Sequence, residues 1–138
     1  MNPSRSTAGP VRIMVVDDSA TIRELIALNL GLEGYDVTTA EDGHDCLRLL
    51  EGVISGDEPS PDLMCLDVVM PGLDGVELTA KLKATPATQH IPILIVSAWA
   101  QRRDFELAQG AGADGYLTKP FAPDELLAEV ERLVQRRP

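Results

Sequence analysis

Basic residues are scarce in this chain. Twelve lysines and arginines stand against 22 aspartates and glutamates, giving a formal net charge of −10 at pH 7. That balance argues against a nucleic-acid or anionic-membrane surface, since both require basic footprints. It suits a cation site or basic protein partners. Long apolar runs are also missing. No stretch approaches the roughly 18 residues of a membrane span, and Met1 to Pro10 lacks the apolar core of a signal peptide. Cysteine and histidine are rare, with two of each. Cys46 and Cys65 lie in different periodic segments, and together with His44 and His90 they match no zinc spacing. They read as the reduced thiols of a cytoplasmic protein.

What remains is an ordinary globular composition. The 138 residues are 44% hydrophobic and 25% charged, enough for one domain with a single core. "MNPSRSTAGP" is polar and rich in breakers, and residues 1–10 are expected to form a disordered tail ahead of one domain over 11–138. Short apolar runs then alternate with helical patterns. Val11–Val16, Tyr35–Ala40, Leu63–Leu66, Ile91–Val96 and Gly115–Thr118 read as strands. Helices are expected over Ser19–Glu33, where Ile22, Leu25, Ile26, Asn29 and Leu30 recur at helical spacing, and over Asp42–Glu51 and Asp74–Lys83. Two more follow over Asp104–Gln109 and Asp124–Gln135. "GVISGDEPSPD" reads as a loop. Five strands each followed by a helix imply an α/β fold, a parallel sheet covered on both faces.

In such sheets ligands sit outside the carboxyl ends of the strands. There the chain places Asp17 and Asp18 after the first strand, Asp67 after the third, Ser97 after the fourth and Lys119 after the fifth. Each has an ordinary explanation singly. Asp18 or Ser19 can cap a helix, Asp67 can open the Pro-Gly turn, and Ser97 and Lys119 can be plain strand-end residues. Together they are harder to dismiss. Two carboxylates about 4 Å apart repel by roughly 4 kcal/mol at an effective dielectric near 20, and such clusters are relieved by protonation or by a cation. Hard oxygens with room for water suit Mg²⁺. A lysine and a hydroxyl beside them complete a phosphoryl-acceptor site.

The stretches "VVDDSA", "LDVVMPGLDG", "ILIVSA" and "GADGYLTKPF" closely resemble the receiver domain of two-component response regulators, over about Val11 to Gln135. The resemblance implies a doubly wound, flavodoxin-like (βα)5 fold with strand order 2-1-3-4-5, and a signalling switch rather than a classical enzyme. Asp67 would accept a phosphoryl group from a sensor histidine kinase or phosphotransfer protein. Mg²⁺ or Mn²⁺ would be bound by Asp18 directly, Asp17 mainly through water, Asp67, and the backbone carbonyl of Val69. Lys119 would pair with Asp67 and then with the phosphoryl group, and Lys119-Pro120 would be cis. Ser97 and Tyr116 would form the switch. A downstream protein would dock on the face of the fourth helix, fifth strand and fifth helix, with the chain a monomer or a phosphorylation-dependent dimer.

Two neighbours of the acceptor site are apolar in this chain. Val69, two after Asp67, and Trp99, two after Ser97, are expected to border the path of the hydrolysing water and to tune dephosphorylation. Three other readings compete. A haloacid-dehalogenase-type phosphatase wants a second acid where Val69 stands. The glycines Gly110, Gly112 and Gly115 formally spell a dinucleotide fingerprint, but they end a helix and open a strand, which reverses the required context. A phosphorylation-independent pseudo-receiver is opposed by the complete acidic set with Lys119. A freestanding receiver and a receiver belonging to a longer DNA-binding or enzymatic regulator both remain open.

Overall fold

The computed structural model of the chain describes residues 9–136. The expected tail therefore lies outside the described residues, except for Gly9 and Pro10. Five strands form one parallel sheet in the order β2-β1-β3-β4-β5. They are β1 (Arg12–Val16), β2 (Asp36–Ala40), β3 (Leu63–Leu66), β4 (Ile93–Ser97) and β5 (Gly115–Thr118). Six helices connect and cover them: α1 (Ala20–Leu32), α2 (Gly43–Leu49), α3 (Glu51–Ser55), α4 (Gly75–Ala84), α5 (Arg102–Ala111) and α6 (Pro123–Arg136). The doubly wound architecture and strand order expected from the sequence are those observed.

Alternation along the central strands makes two cores. Met14, Val16, Met64, Leu66, Ile93 and Ile95 face one way and pack with Cys46, Leu50, Leu78 and Leu82 from α2 and α4. Their alternates Ile13, Val15, Leu63, Cys65, Leu94 and Val96 face the other way, toward Ile26 and Leu30 of α1 and Leu126, Val130 and Leu133 of α6. A strand covered on both sides must be apolar at every position, which is why β3 and β4 read as unbroken runs. Edge strand β2 is exposed at Asp36, Thr38 and Thr39. Burial pushes the thiols of Cys46 and Cys65 up to about 12, so both are inert packing groups at neutral pH.

Several boundaries differ from the sequence reading. Residues 52–55 are helical rather than looped: Ile54 N–H donates to the Leu50 carbonyl at 2.9 Å, and the turn stops only at Gly56, where φ is 88°. Gly52 has no left-handed φ, and it is Gly56 that ends the turn. β4 begins at Ile93 because Pro92 has no N–H to donate to a ladder. α5 starts at Arg102, two residues early, with Gln101 and Asp104 in a capping box. β2 begins at Asp36 instead of Tyr35. Leu25 is exposed, not part of the core side of α1, since it stands about 100° round the helix from buried Ile26.

One glycine ties the fold to the strand ends. Gly75 opens α4, its N–H donating to the Val68 carbonyl at 2.9 Å, and a Cβ there would collide with the backbone carbonyl of Asp67. Gly31, near the end of α1, faces open space. Gly75→Ala is therefore expected to cost about 1–3 kcal/mol through a forced backbone shift. Gly31→Ala should instead add about 0.5–1 kcal/mol, as alanine does in a helix. Urea unfolding of the two variants checks both signs.

Candidate functional site

The backbone ladder runs one residue past the strands and carries the acids with it. Asp17 N–H donates to Ala40 C=O at 3.2 Å, Asp67 N–H to Val16 C=O at 2.9 Å, and Lys119 N–H to Ser97 C=O at 2.8 Å. Asp17 and Asp67 are thereby set side by side at the carboxyl edge of β1 and β3, with Ser97 and Lys119 beyond them. One carboxylate oxygen each from Asp17, Asp18 and Asp67 lies within 4.8 Å of the others. Asp17 and Asp67 are buried and Asp18 is exposed.

Lys119 holds this cluster together, in a way the sequence reading did not anticipate. Its ammonium donates to Asp17 Oδ2 at 2.9 Å and lies 3.5 Å from Asp67 Oδ1. The shorter arm thus goes to Asp17, although Asp67 was the expected partner. Asp17 is the most enclosed of the three, and its other oxygen accepts the Ser19 N–H at 2.9 Å. Both Asp17 oxygens are engaged. Asp18 makes no hydrogen bond of its own among the described residues. It is not the helix cap either, because Ser19 takes that role for α1 through its side chain and the Ile22 N–H.

The remaining expected residues gather around the same edge. The Lys119-Pro120 peptide is cis. Ser97 is fully buried, its Oγ accepts the Trp99 N–H at 3.1 Å, and its hydroxyl neighbours the Tyr116 phenol. Tyr116 donates its hydroxyl to the Trp99 carbonyl at 2.6 Å and stacks edge-on against Phe105 with ring centroids 4.6 Å apart. Burial raises the Tyr116 phenol, with the neighbouring Ser97 hydroxyl opposing. Val69 is 49% exposed and Trp99 52%. The Val69 carbonyl accepts no hydrogen bond from the described residues. Sequence reasoning missed Arg23, whose guanidinium donates to the Asp17 carbonyl at 2.6 Å. No periodic signal marks such a side-chain contact to backbone in the sequence.

Burial pushes the Asp67 carboxyl up, repulsion from Asp17 adds to this, and Lys119 and the Val69 N–H pull back. Three acids and one lysine leave two negative charges uncompensated in a half-enclosed space. An all-oxygen donor set with one exposed member fits Mg²⁺, which takes one or two carboxylates and keeps several waters.

Residues 13–131 match the family model of the response regulator receiver domain. The chain belongs to that family. This receiver domain is 42% identical over 127 residues to the response regulator MprA of Mycolicibacterium vanbaalenii, a match covering 92% of the chain and 52% of MprA. It is 38% identical over 125 residues to the DNA-binding dual master transcriptional regulator RpaA of Synechocystis, covering 91% and 49%. The receiver thus spans about half the length of these relatives. Among solved structures, a putative response regulator from Chloroflexus aurantiacus superposes with a TM-score of 0.84 at 33% identity, over 92% of this chain and 99% of that one.

The raised Asp67 carboxyl has a consequence for stability. It holds its proton to higher pH in the folded protein than in the unfolded chain, so its contribution is full below the unfolded value, near pH 4, and is lost as pH rises through the raised one. Asp67→Asn is expected to stabilise the divalent-free receiver at neutral pH and to lose that advantage in acid. Urea titrations in chelator across this range measure it; equal stabilities at pH 7 contradict it.

Proposed function

We propose that this receiver is a phosphoryl-accepting switch, with Asp67 taking the group from the phosphohistidine of a kinase or phosphotransfer protein. An oxygen of the Asp67 carboxylate forms the new bond to phosphorus as the phosphorus–nitrogen bond of the donor breaks. The imidazole leaves with the bonding pair, and Asp67 carries an acyl phosphate. The observation that supports this best is Lys119 reaching both buried acids: its ammonium stands 3.5 Å from the Asp67 oxygen, beside where a phosphoryl oxygen would arrive. A carboxylate with a raised pKa is also a more basic nucleophile.

In this reading Asp18 holds Mg²⁺ or Mn²⁺ directly, with Asp67 and the Val69 carbonyl. Asp17 acts mainly through water, in keeping with both its oxygens being engaged. When bound, the cation offsets negative charge on the transferring phosphoryl oxygens. Ser97 then turns its hydroxyl proton from Tyr116 toward a phosphoryl oxygen. Because Ser97 Oγ and the Tyr116 hydroxyl both bond the Trp99 backbone, a shift of Ser97 is felt at Tyr116 and Phe105. In this reading the output lies on the α5–β5–α6 face, which is the docking surface expected from the sequence renumbered for the extra helix α3. The partner there is a downstream protein, met by a monomer or by a phosphorylation-dependent dimer in the cytoplasm. Since MprA and RpaA are about twice as long as this chain, the second reading is the same acceptor acting on a covalently attached effector.

Two measurements test the chemistry. With Mg²⁺ and acetyl phosphate, intact mass should show one base-labile phosphoryl group on the wild type and none on Asp67→Asn; no modification of the wild type points to a pseudo-receiver. The exposed side chains of Val69 and Trp99 offer an attacking water no acceptor for its proton, so the acyl phosphate should be long-lived. Val69→Asn with Trp99→Glu is expected to speed its loss by about tenfold, the effect of one hydrogen bond worth about 1.4 kcal/mol in the transition state. An unchanged decay rate removes any role for these two side chains.

A further inference from the structure

A pocket of about 150 Å³ opens between the N-terminal ends of α4 and α5, beside the acceptor site but outside it. Its floor and wall are apolar: Val68, Val76, Leu107, Trp99 and the ring of Tyr116. Two of these are strongly exposed for their type, Leu107 at 61% and Trp99 at 52%. The lining also contains three carboxylates, Asp74, Glu77 and Asp104, and no cation. Arg102 and Arg103 belong to the same helix as Asp104 but do not line the pocket.

These acids are fixed in place by the helix ends. Asp74 Oδ1 accepts the Glu77 N–H at 2.8 Å while Glu77 Oε1 accepts the Asp74 N–H at 3.1 Å. Across the groove Asp104 Oδ2 accepts the Gln101 N–H at 2.9 Å. Each capping bond uses one oxygen and leaves the other without a hydrogen bond among the described residues. A ligand would meet three oriented acceptors that need little further ordering. The volume is well below the roughly 300–1,000 Å³ of small-molecule sites. It is about right for one apolar side chain with a cation at its edge.

We infer that this groove docks a segment of a partner protein in which a leucine-like side chain is flanked by arginine or lysine. The apolar side chain fills the floor between Val76 and Leu107. The adjacent guanidinium or ammonium lies on the face of Trp99, where a cation is attracted by the ring, and bonds the free carboxylate oxygens. The net charge of −10 favours encounter with such a segment. The groove lies on the α4 side of α5 and shares Tyr116 with the α5–β5–α6 face, and its occupation needs no phosphoryl group on Asp67.

Trp99 is the sole tryptophan of the chain, so its fluorescence reads the groove directly. The probes are three synthetic peptides of one length: leucines with arginines, and twins with each arginine replaced by glutamate or by serine. The arginine peptide is expected to give a saturable blue shift that weakens with salt, while the glutamate twin gives none. Glu77→Gln with Asp104→Asn keeps the capping hydrogen bonds and removes two charges, and should weaken binding by about tenfold. Leu107→Ser, on an exposed helix position, should weaken it independently of charge. Equal binding by the serine twin, an unchanged affinity in the charge-neutral variant, or no saturable shift with the arginine peptide overturns the proposal.

Discussion

A single ammonium shared between two buried carboxylates is the contact on which the upper edge of this molecule turns. Lys119 comes from the end of β5, Asp17 from the end of β1 and Asp67 from the end of β3, so their contacts at 2.9 and 3.5 Å link three strands that are not all neighbours. Removing Lys119 would leave two buried carboxylates uncompensated, which costs about 3–5 kcal/mol, whereas removing one acid relieves repulsion. Replacing the whole group by apolar side chains would be neutral or favourable. Stability therefore does not call for the cluster; the proposed phosphoryl chemistry would. Burial first and repulsion from Asp17 second raise the Asp67 carboxyl, and the excess of two negative charges sets up the fit to a divalent cation.

The fold serves this edge from both sides. Two apolar cores clamp the central strands, and the ladder continues past them by one residue so that each functional group leaves the sheet in register. Gly75 lets α4 begin against the Asp67 carbonyl, where any side chain would push the Asp67 backbone out of line. The backbone of Trp99 then joins Ser97 to Tyr116, so that the buried hydroxyl, the aromatic pair with Phe105 and the acidic groove beside α4 share one short loop.

Much of this was legible in the sequence. Continuous apolar runs bounded by Asp17, Asp67, Ser97 and Lys119 betray a strand buried on both faces and ending at a polar edge, and that pattern alone assembles the cluster. The quoted motifs supplied the strand order and the assignment of Asp18 against Asp17. Three features were not legible, for definite reasons. Residues 52–55 carry a glycine in a weak helical pattern, and only packing of Val53 on the core decides their conformation. The preference of Lys119 for Asp17 over Asp67 depends on side-chain reach across two strands. The grip of Arg23 on the Asp17 carbonyl is a side-chain contact to backbone, which leaves no periodic trace.

The central claim is that the acids at this edge are held in electrostatic tension that a divalent cation relieves. The most direct measurement is the free energy of unfolding as a function of Mg²⁺ at constant ionic strength, for the wild type and for Asp18→Asn. A cation bound by the folded protein alone stabilises it by about 1.4 kcal/mol for each tenfold rise in concentration above its dissociation constant. The wild type is expected to follow that slope and Asp18→Asn to stay flat. A wild type indifferent to Mg²⁺, or an Asp18→Asn variant that responds equally, contradicts the account.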